Sequence, residues 1–201
     1  PKMKEDGVKE YGLDPSRKHI FIVGGSLGSS RFNQVMKKWI TDGCKGLDGV
    51  DVLWQCGKYY KSDIDRFMAE QREKNPEALR NIHHSDFIGR MDLAYAAADV
   101  VISRSGASSV SELCAAHKAV IFIPSPNVAE DHQTHNAMAL VRKDAALIVK
   151  DSEAMEKMIP TALELLKDTE RIAVLEENAG KMALPDAAGK IAEEVYKLTK
   201  G

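Results

Sequence analysis

The sequence has little of what marks a secreted, membrane-spanning or nucleic-acid-binding chain. Cysteine is scarce: Cys44, Cys56 and Cys114 show no paired or metal-like spacing, which fits a reducing cytosol better than a disulfide framework. No apolar run nears the roughly 20 residues that span a bilayer, and nothing at the start reads as a secretory signal. Charge of one sign is also missing. The 28 Lys and Arg residues against 30 Asp and Glu leave a net charge of −2, so no general attraction to nucleic acid or anionic lipid is expected. Internal repeats, low-complexity tracts and linker-like stretches are absent. The chain begins at Pro1 rather than at a methionine, and it is expected to be a piece of a longer protein.

What is present is an ordinary globular balance, 44% hydrophobic and 29% charged over 201 residues, enough for one medium α/β domain or two small ones. A short β-rich run, a turn and a helical period recur along the chain. Strands are predicted at 19–23, 50–55, 81–87, 100–103, 119–123 and 145–149. Helices are predicted near 31–40, 61–71, 91–98, 109–116, 133–142, 152–167 and 187–200, with a weaker one between the last two. The strands are almost continuously apolar, as when both faces of a parallel sheet are covered. Strand–helix alternation of this kind predicts a doubly wound, Rossmann-like α/β sheet. Ligands of such sheets sit beyond the carboxyl ends of the strands, so the loops that follow strands are the ones to search.

The first such loop, GGSLGSS, joins a strand to a helix whose apolar residues Phe32, Val35, Met36, Trp39 and Ile40 form one stripe. Its glycines allow positive φ and close backbone approach, and the helix start favours a phosphate. The loop is neither G-x-G-x-x-G nor a P-loop. A tight turn with Ser26 or Ser29 as N-cap explains it equally well. In the fourth loop Arg104-Ser105-Gly106-Ala107 precedes a helix start rich in serine, with Glu112 one turn in. A carboxylate there can accept from a vicinal diol such as ribose. Yet Ser109-Val110-Ser111-Glu112 also reads as a capping box, and the residues alone favour that. Arg104 reads as a solvated surface residue in preference to a phosphate partner.

In the fifth loop, PSPNVAEDHQTHNA, Gln133 and Asn136 suit sugar hydroxyls because each side chain both donates and accepts. Ordinary polar capping explains them too. His132 and His135 lack a third well-spaced ligand, so no metal is expected. The adjacent His83 and His84 point to opposite faces of their strand. No nucleophile with its base and no carboxylate pair stands out. The chain reads as a holder of phosphate and polar ligands with no catalytic residue of its own.

Taken in order, "GGSLGSSRFNQ", "WQCGKYY", "FIGRMDLAYAAADVVISRSGASSVSE" and "FIPSPNVAEDHQTHNA" resemble the C-terminal half of the MurG glycosyltransferase family. The resemblance runs from about Ile20 to Val149. It implies one half of a GT-B enzyme, with residues 1–201 forming the donor-binding domain and an N-terminal acceptor domain lying outside this chain. That family transfers N-acetylglucosamine from UDP to lipid I, giving lipid II for peptidoglycan, at the cytoplasmic face of the bacterial inner membrane. The implied partners are UDP-N-acetylglucosamine, the chain's own N-terminal domain, and lipid I reached through that domain, which also carries most membrane contact. No nucleic acid, cofactor or metal is implied.

By the same resemblance Ser26 meets the donor phosphates, backed by Gly25 and Gly28, and Ile88 after Phe87 reads the uracil edge through its backbone. Residues Ala107, Ser108, Ser109, Val110 and Ser111 line phosphates and ribose alongside Arg104. Glu112 takes the ribose hydroxyls, which reverses the capping-box reading, and Gln133 and Asn136 contact the sugar. Three departures from the family pattern stand out. Trp54 replaces a common His and His132 a common Gln, both expected to alter packing on the sugar side. His117-Lys118-Ala119 replaces a Gly-x-Pro turn, an effect expected to stay within the turn. A stand-alone UDP-sugar-binding subunit docking on a separate acceptor protein is the second reading. A nicotinamide-dependent enzyme is disfavoured, because no acidic residue ends the second strand after a true G-x-G-x-x-G.

Overall fold

The computed structural model describes residues 2–127 and 131–183. Six parallel strands form one sheet: β1 (Lys18–Val23), β2 (Val50–Gln55), β3 (Ile82–Ser85), β4 (Val100–Ser103), β5 (Val120–Phe122) and β6 (Leu147–Ile148). Their order is β3-β2-β1-β4-β5-β6, so the winding direction reverses between β1 and β4. That reversal opens a crevice at the carboxyl ends of the strands, where doubly wound sheets bind ligands. The six predicted strands and their alternation with helices are all present. The third, fifth and sixth are shorter than predicted: strand pairing is confined to 82–85, 120–122 and 147–148.

Strand periodicity sorts the core into two layers. Ile20, Ile22, Val52, Trp54, Val100, Ile102 and Ile121 face one layer, while Phe21, Val23, Leu53, Val101, Val120 and Phe122 face the other. Covering both faces explains why these strands lack polar alternation. The first layer is completed by α2 (Ser30–Thr41), α3 (Lys61–Lys74) and α8 (Ala154–Leu165). On the other side lie α5 (Met91–Ala97), α6 (Ala107–Ala115) and α7 (His132–Val141). The weaker predicted helix is α9 (Thr169–Lys181), whose Leu175 and Ala179 contact one layer each. The helix predicted at 187–200 lies outside the described residues.

Two helices escaped the sequence analysis. The four-residue α4 (Pro76–Leu79) begins at a proline behind the Asn75 cap. The other, α1 (Lys2–Glu10), is mostly charged and is held by docking on α5. Its Gly7 is the contact point: a Cβ there would lie 2.2 Å from the Leu93 carbonyl oxygen. Val8 and Leu13 bury beside Ala97, and the Tyr11 hydroxyl donates to the Arg90 carbonyl at 2.9 Å. The three cysteines are buried and free. As predicted, His83 and His84 diverge. His84 pairs with Asp65 of α3 at 2.9 Å, whereas His83 faces Asp51 of β2 at 3.8 Å, and burial pushes its pKa down.

Candidate functional site

The first loop folds as it does because two glycine backbones touch. Gly28 has φ +78°, and a Cβ on it would lie 2.3 Å from the Cys56 carbonyl oxygen and 2.8 Å from Gly57 Cα. Gly57, at φ +91°, meets the Leu27 carbonyl in the same way. This packing sets the loop against the end of β2 and aims α2 at the crevice. Ser29 is the N-cap of α2 and accepts from the Phe32 amide at 3.3 Å. Ser26 is therefore not the cap, and its exposed side chain faces the crevice instead. Gln55, at the end of β2, accepts from the Gly24 amide and donates to the Asp86 carbonyl, both at 3.3 Å, tying the first loop to the loop after β3. A Gly28→Ala variant is expected to lose about 2 kcal/mol of stability or more, from left-handed strain and the carbonyl clash. Urea unfolding would measure it, and a loss below about 0.5 kcal/mol would show that the contact is soft.

Two adjoining cavities occupy the crevice. The smaller, about 390 Å³, is lined by Ser26, Phe87, Ile88, Tyr95, Ser108 and Glu112 among others. The larger, about 500 Å³, is lined by Gly24, Gly28, Arg31, Arg104, Gln133 and Asp151 among others. Gly25 and Ser109 border both. One cavity thus has an apolar wall with a single carboxylate, and the other has glycine backbone, helix starts and cations. A flat ring with a polar edge suits the first, and an anion suits the second.

The structure removes the capping role from Glu112. The helix α6 begins at Ala107 with Gly106 as N-cap and no side-chain cap bond. Ser109 is therefore inside the helix, and the expected capping box does not form. The cap position falls at Gly106, three residues before the one that the serine pattern predicted. Glu112 is exposed, and its Oε2 accepts from the Tyr95 hydroxyl at 3.2 Å. Burial first, then the neighbouring charge of Glu112, raises the Tyr95 pKa, so this hydroxyl stays a donor. With one oxygen steadied, the carboxylate keeps acceptor capacity for a ligand in the smaller cavity.

Arg104 is not the solvated surface residue the sequence favoured: its side chain is only 14% exposed. Nη1 donates to the Ile123 and Pro124 carbonyls at 2.8 and 3.1 Å, and Nη2 donates to Ser29 Oγ at 3.0 Å. The guanidinium also stacks 4.7 Å from the Phe32 ring centroid. Arg104 is thus a strut that ties the first loop to the segment after β5. Desolvation is the main cause lowering its pKa.

Gln133 is a second brace. Its Oε1 accepts from the Ser125 amide at 2.9 Å and the Ser105 amide at 3.3 Å. What it can offer a ligand in the larger cavity is therefore its amide N–H₂ group. Asn136 donates to the Ser105 carbonyl at 3.0 Å and lines neither cavity. Ala107, Val110 and Ser111 likewise line neither cavity, since they face other sides of α6, and Ser111 Oγ returns its bond to the Ala107 carbonyl. Trp54 does not pack on the sugar side either. It is fully buried in the first core layer, and its Nε1 donates to Asn33 Oδ1 at 3.0 Å. His117 follows α6 at φ +51°, but that departure reaches beyond the turn: its ring packs against Gly180 of α9, and Lys118 Nζ donates to the Ala98 carbonyl at 3.0 Å.

The cavities also hold residues that the sequence analysis missed. Tyr95 sits inside an apolar helix, and its position in the amphipathic pattern explained it as core. Arg31 and Asp151 lie 120 residues apart and meet at 3.0 Å, a pairing without local signal. Among the described residues, no cluster of three His, Cys, Asp or Glu could hold a metal ion. No described helix is long and apolar enough to cross a membrane.

Comparison with known proteins adds to this geometry. Residues 19–191 match a family model described as "Glycosyltransferase family 28 C-terminal domain". A relative from Bacteroides fragilis is 45% identical over 197 residues, covering 98% of this chain and 50% of its own length. One from Bacteroides thetaiotaomicron is 46% identical over 200 residues, covering 98% and 52%. Both are named UDP-N-acetylglucosamine--N-acetylmuramyl-(pentapeptide) pyrophosphoryl-undecaprenol N-acetylglucosamine transferase. The crystal structure of Acinetobacter baumannii MurG superposes with a TM-score of 0.73 at 26% identity, covering 95% of this chain and 53% of that one. The chain spans about half the length of the curated relatives it matches.

Proposed function

From the premise that the chain belongs to the glycosyltransferase family 28 C-terminal domain family, we propose that it is the donor-binding half of a transferase for N-acetylglucosamine. Its donor is UDP-N-acetylglucosamine, and its acceptor is lipid I, held by an N-terminal half of the kind its relatives have room for. The whole enzyme would then work at the cytoplasmic face of the membrane, with lipid contact made through the other half. The observation that carries this reading is the pair of adjoining cavities at the switch point, one ring-shaped in chemistry and one anionic in preference.

Uracil would enter the smaller cavity against Phe87 and the backbone of Ile88, where an amide N–H and a carbonyl match O4 and N3–H. Cytosine presents the reverse pattern. Glu112 would take the ribose hydroxyls. The diphosphate would lie across Gly25 and Ser109 toward the starts of α2 and α6, whose first-turn amides favour negative charge. The sugar would project past Gln133 into the larger cavity.

In an inverting transfer the acceptor oxygen bonds to the sugar C1 while the C1–O bond to UDP breaks. The departing UDP keeps the electron pair, and the hydroxyl proton passes to a base. The fixed amides at the starts of α2 and α6 would face that charge as it grows and stabilise it electrostatically. The base is not supplied by this cleft. Among the described residues the cavity-lining carboxylates are Glu112 and Asp151, the first tied to Tyr95 and the second to two arginines.

Calorimetric titration of the chain with UDP-N-acetylglucosamine, CDP and NAD tests the reading. Binding of the UDP-sugar with CDP at least about tenfold weaker and NAD silent is the expected result. Equal CDP binding would remove the Ile88 role, and binding of NAD alone would overturn the reading.

A further inference from the structure

A carboxylate at the edge of an anion-binding cleft is an electrostatic contradiction, and Asp151 is one. It opens the turn before α8 and lines the larger cavity with its side chain only 11% exposed. Two guanidinium groups converge on it. Arg31 Nε donates to Oδ2 at 3.0 Å. Arg104 Nη1 lies 2.7 Å from Oδ1, but both Nη1 hydrogens already point at the Ile123 and Pro124 carbonyls. Oδ1 therefore feels the charge of Arg104 without receiving a hydrogen bond.

The two arginines differ in how firmly they are placed. Arg104 is fixed by two carbonyls, Ser29 Oγ and the Phe32 ring, and keeps its position without Asp151. Arg31 rises from the first turn of α2 beside the glycine loop, half-buried. Apart from Asp151, its only side-chain hydrogen-bond partner among the described residues is Gln34, through a stretched contact from Nη1 to Oε1 at 3.5 Å. The two cations repel each other, which is felt at Arg104. Without the carboxylate between them, Arg31 has no reason to stay beside Arg104 and every reason to turn to solvent.

We propose that Arg31 is a diphosphate-contacting residue of the donor cleft and that Asp151 is the residue that positions it. Asp151 holds Arg31 through Nε, so the terminal Nη groups, of which Nη1 has only the stretched contact to Gln34, are left for a ligand in the larger cavity that both residues line. It also cancels the buried charge of Arg104, so that one cation is presented to the ligand rather than two repelling ones. Nη groups of a held guanidinium suit phosphate oxygens. This inference rests on the donor-binding reading above and names a phosphate contact within it.

The test is titration of the 201-residue chain and its variants with UDP and with uridine. Arg31→Ala is expected to weaken UDP binding about tenfold, as loss of a charge-assisted contact does, and to leave uridine binding unchanged, which also shows that the variant is folded. For Asp151→Ala the sign decides. Removing a negative charge near a diphosphate should strengthen UDP binding if the carboxylate acts only through its field. Loss of positioning should weaken it several-fold. The expected result is weakening, and the double variant should bind UDP no worse than Arg31→Ala alone, since both act through one contact. UDP affinity unchanged in Arg31→Ala, or raised in Asp151→Ala, would overturn the inference while leaving the donor reading in place. If the unaltered chain binds neither UDP nor uridine, the reading and the inference fall together.

Discussion

Replacing Glu112 with alanine is expected to cut UDP affinity at least about tenfold while leaving the fold intact. The size follows from the contacts proposed for it. A hydrogen bond to a charged group is worth about 1.5–3 kcal/mol, and a tenfold change needs only about 1.4 kcal/mol. One of the two ribose bonds is thus enough to produce the effect. The fold should survive because the predicted capping box is absent: Glu112 is the sixth residue of α6, and the cap position belongs to Gly106. An exposed helical position changed to alanine alters stability by no more than about 0.5 kcal/mol. Tyr95 loses its acceptor, but it lines the cavity, where water can replace the carboxylate. A sharper readout is discrimination between UDP and its 2′-deoxy analogue, which Glu112→Ala should flatten. An unchanged UDP affinity in the folded variant would leave Glu112 with no role beyond its bond to Tyr95.

Trp54→Ala should produce the largest loss of stability in the chain, about 3–5 kcal/mol by the measure of other buried tryptophans. Trp54 is fully buried in the middle of the first core layer. Its Nε1 satisfies Asn33 Oδ1, and Asn33 Nδ2 in turn donates to the Cys56 carbonyl at 2.9 Å. Truncation opens a cavity and also orphans a buried amide oxygen, which costs about 1–3 kcal/mol more where water cannot enter. Small domains are stable by only about 5–15 kcal/mol, so the variant stands close to unfolding. The Cys56 carbonyl is also the atom that Gly28 packs against. Trp54 therefore supports the glycine loop from below, although it lines neither cavity. Denaturation in urea measures the loss. A drop under about 1 kcal/mol would mean that the site collapses around the void, and Trp54→Phe, which keeps most of the volume, should cost markedly less.

Those two residues also show where reading the sequence succeeded and where it did not. The continuous apolar runs of 19–23, 50–55 and 100–103 could only be strands covered on both faces, and strand–helix alternation then required parallel pairing and a ligand crevice at the carboxyl ends. Hydrophobic periodicity is local, and burial acts on each segment in the same way whatever its neighbours are. The glycine loop was legible for a similar reason: positive φ and a backbone contact tolerate no side chain, so Gly28 had to be glycine. Helix α1 was invisible because its own sequence is too polar to fold alone and is held by Gly7 against α5.

The assignment of each polar residue needed the tertiary structure. Ser109 and Glu112 have capping-box spacing, yet the chain enters α6 at Gly106, and that choice depends on how β4 delivers the chain to the helix. Arg104 looks like any surface arginine until three separate segments close around it: Ser29 with Phe32, Ile123 with Pro124, and Asp151. Asp151 and Arg31 sit 120 residues apart in sequence and share no pattern a window could detect. The sequence alone thus determined the six strands and the helices between them, their parallel pairing and the loops that can hold a ligand, but not α1, α4 or the order of strands in the sheet. Which side chains brace that site and which are left to meet a ligand was decided only by packing, because a hydrogen bond is spent on whichever partner the folded chain brings within about 3 Å.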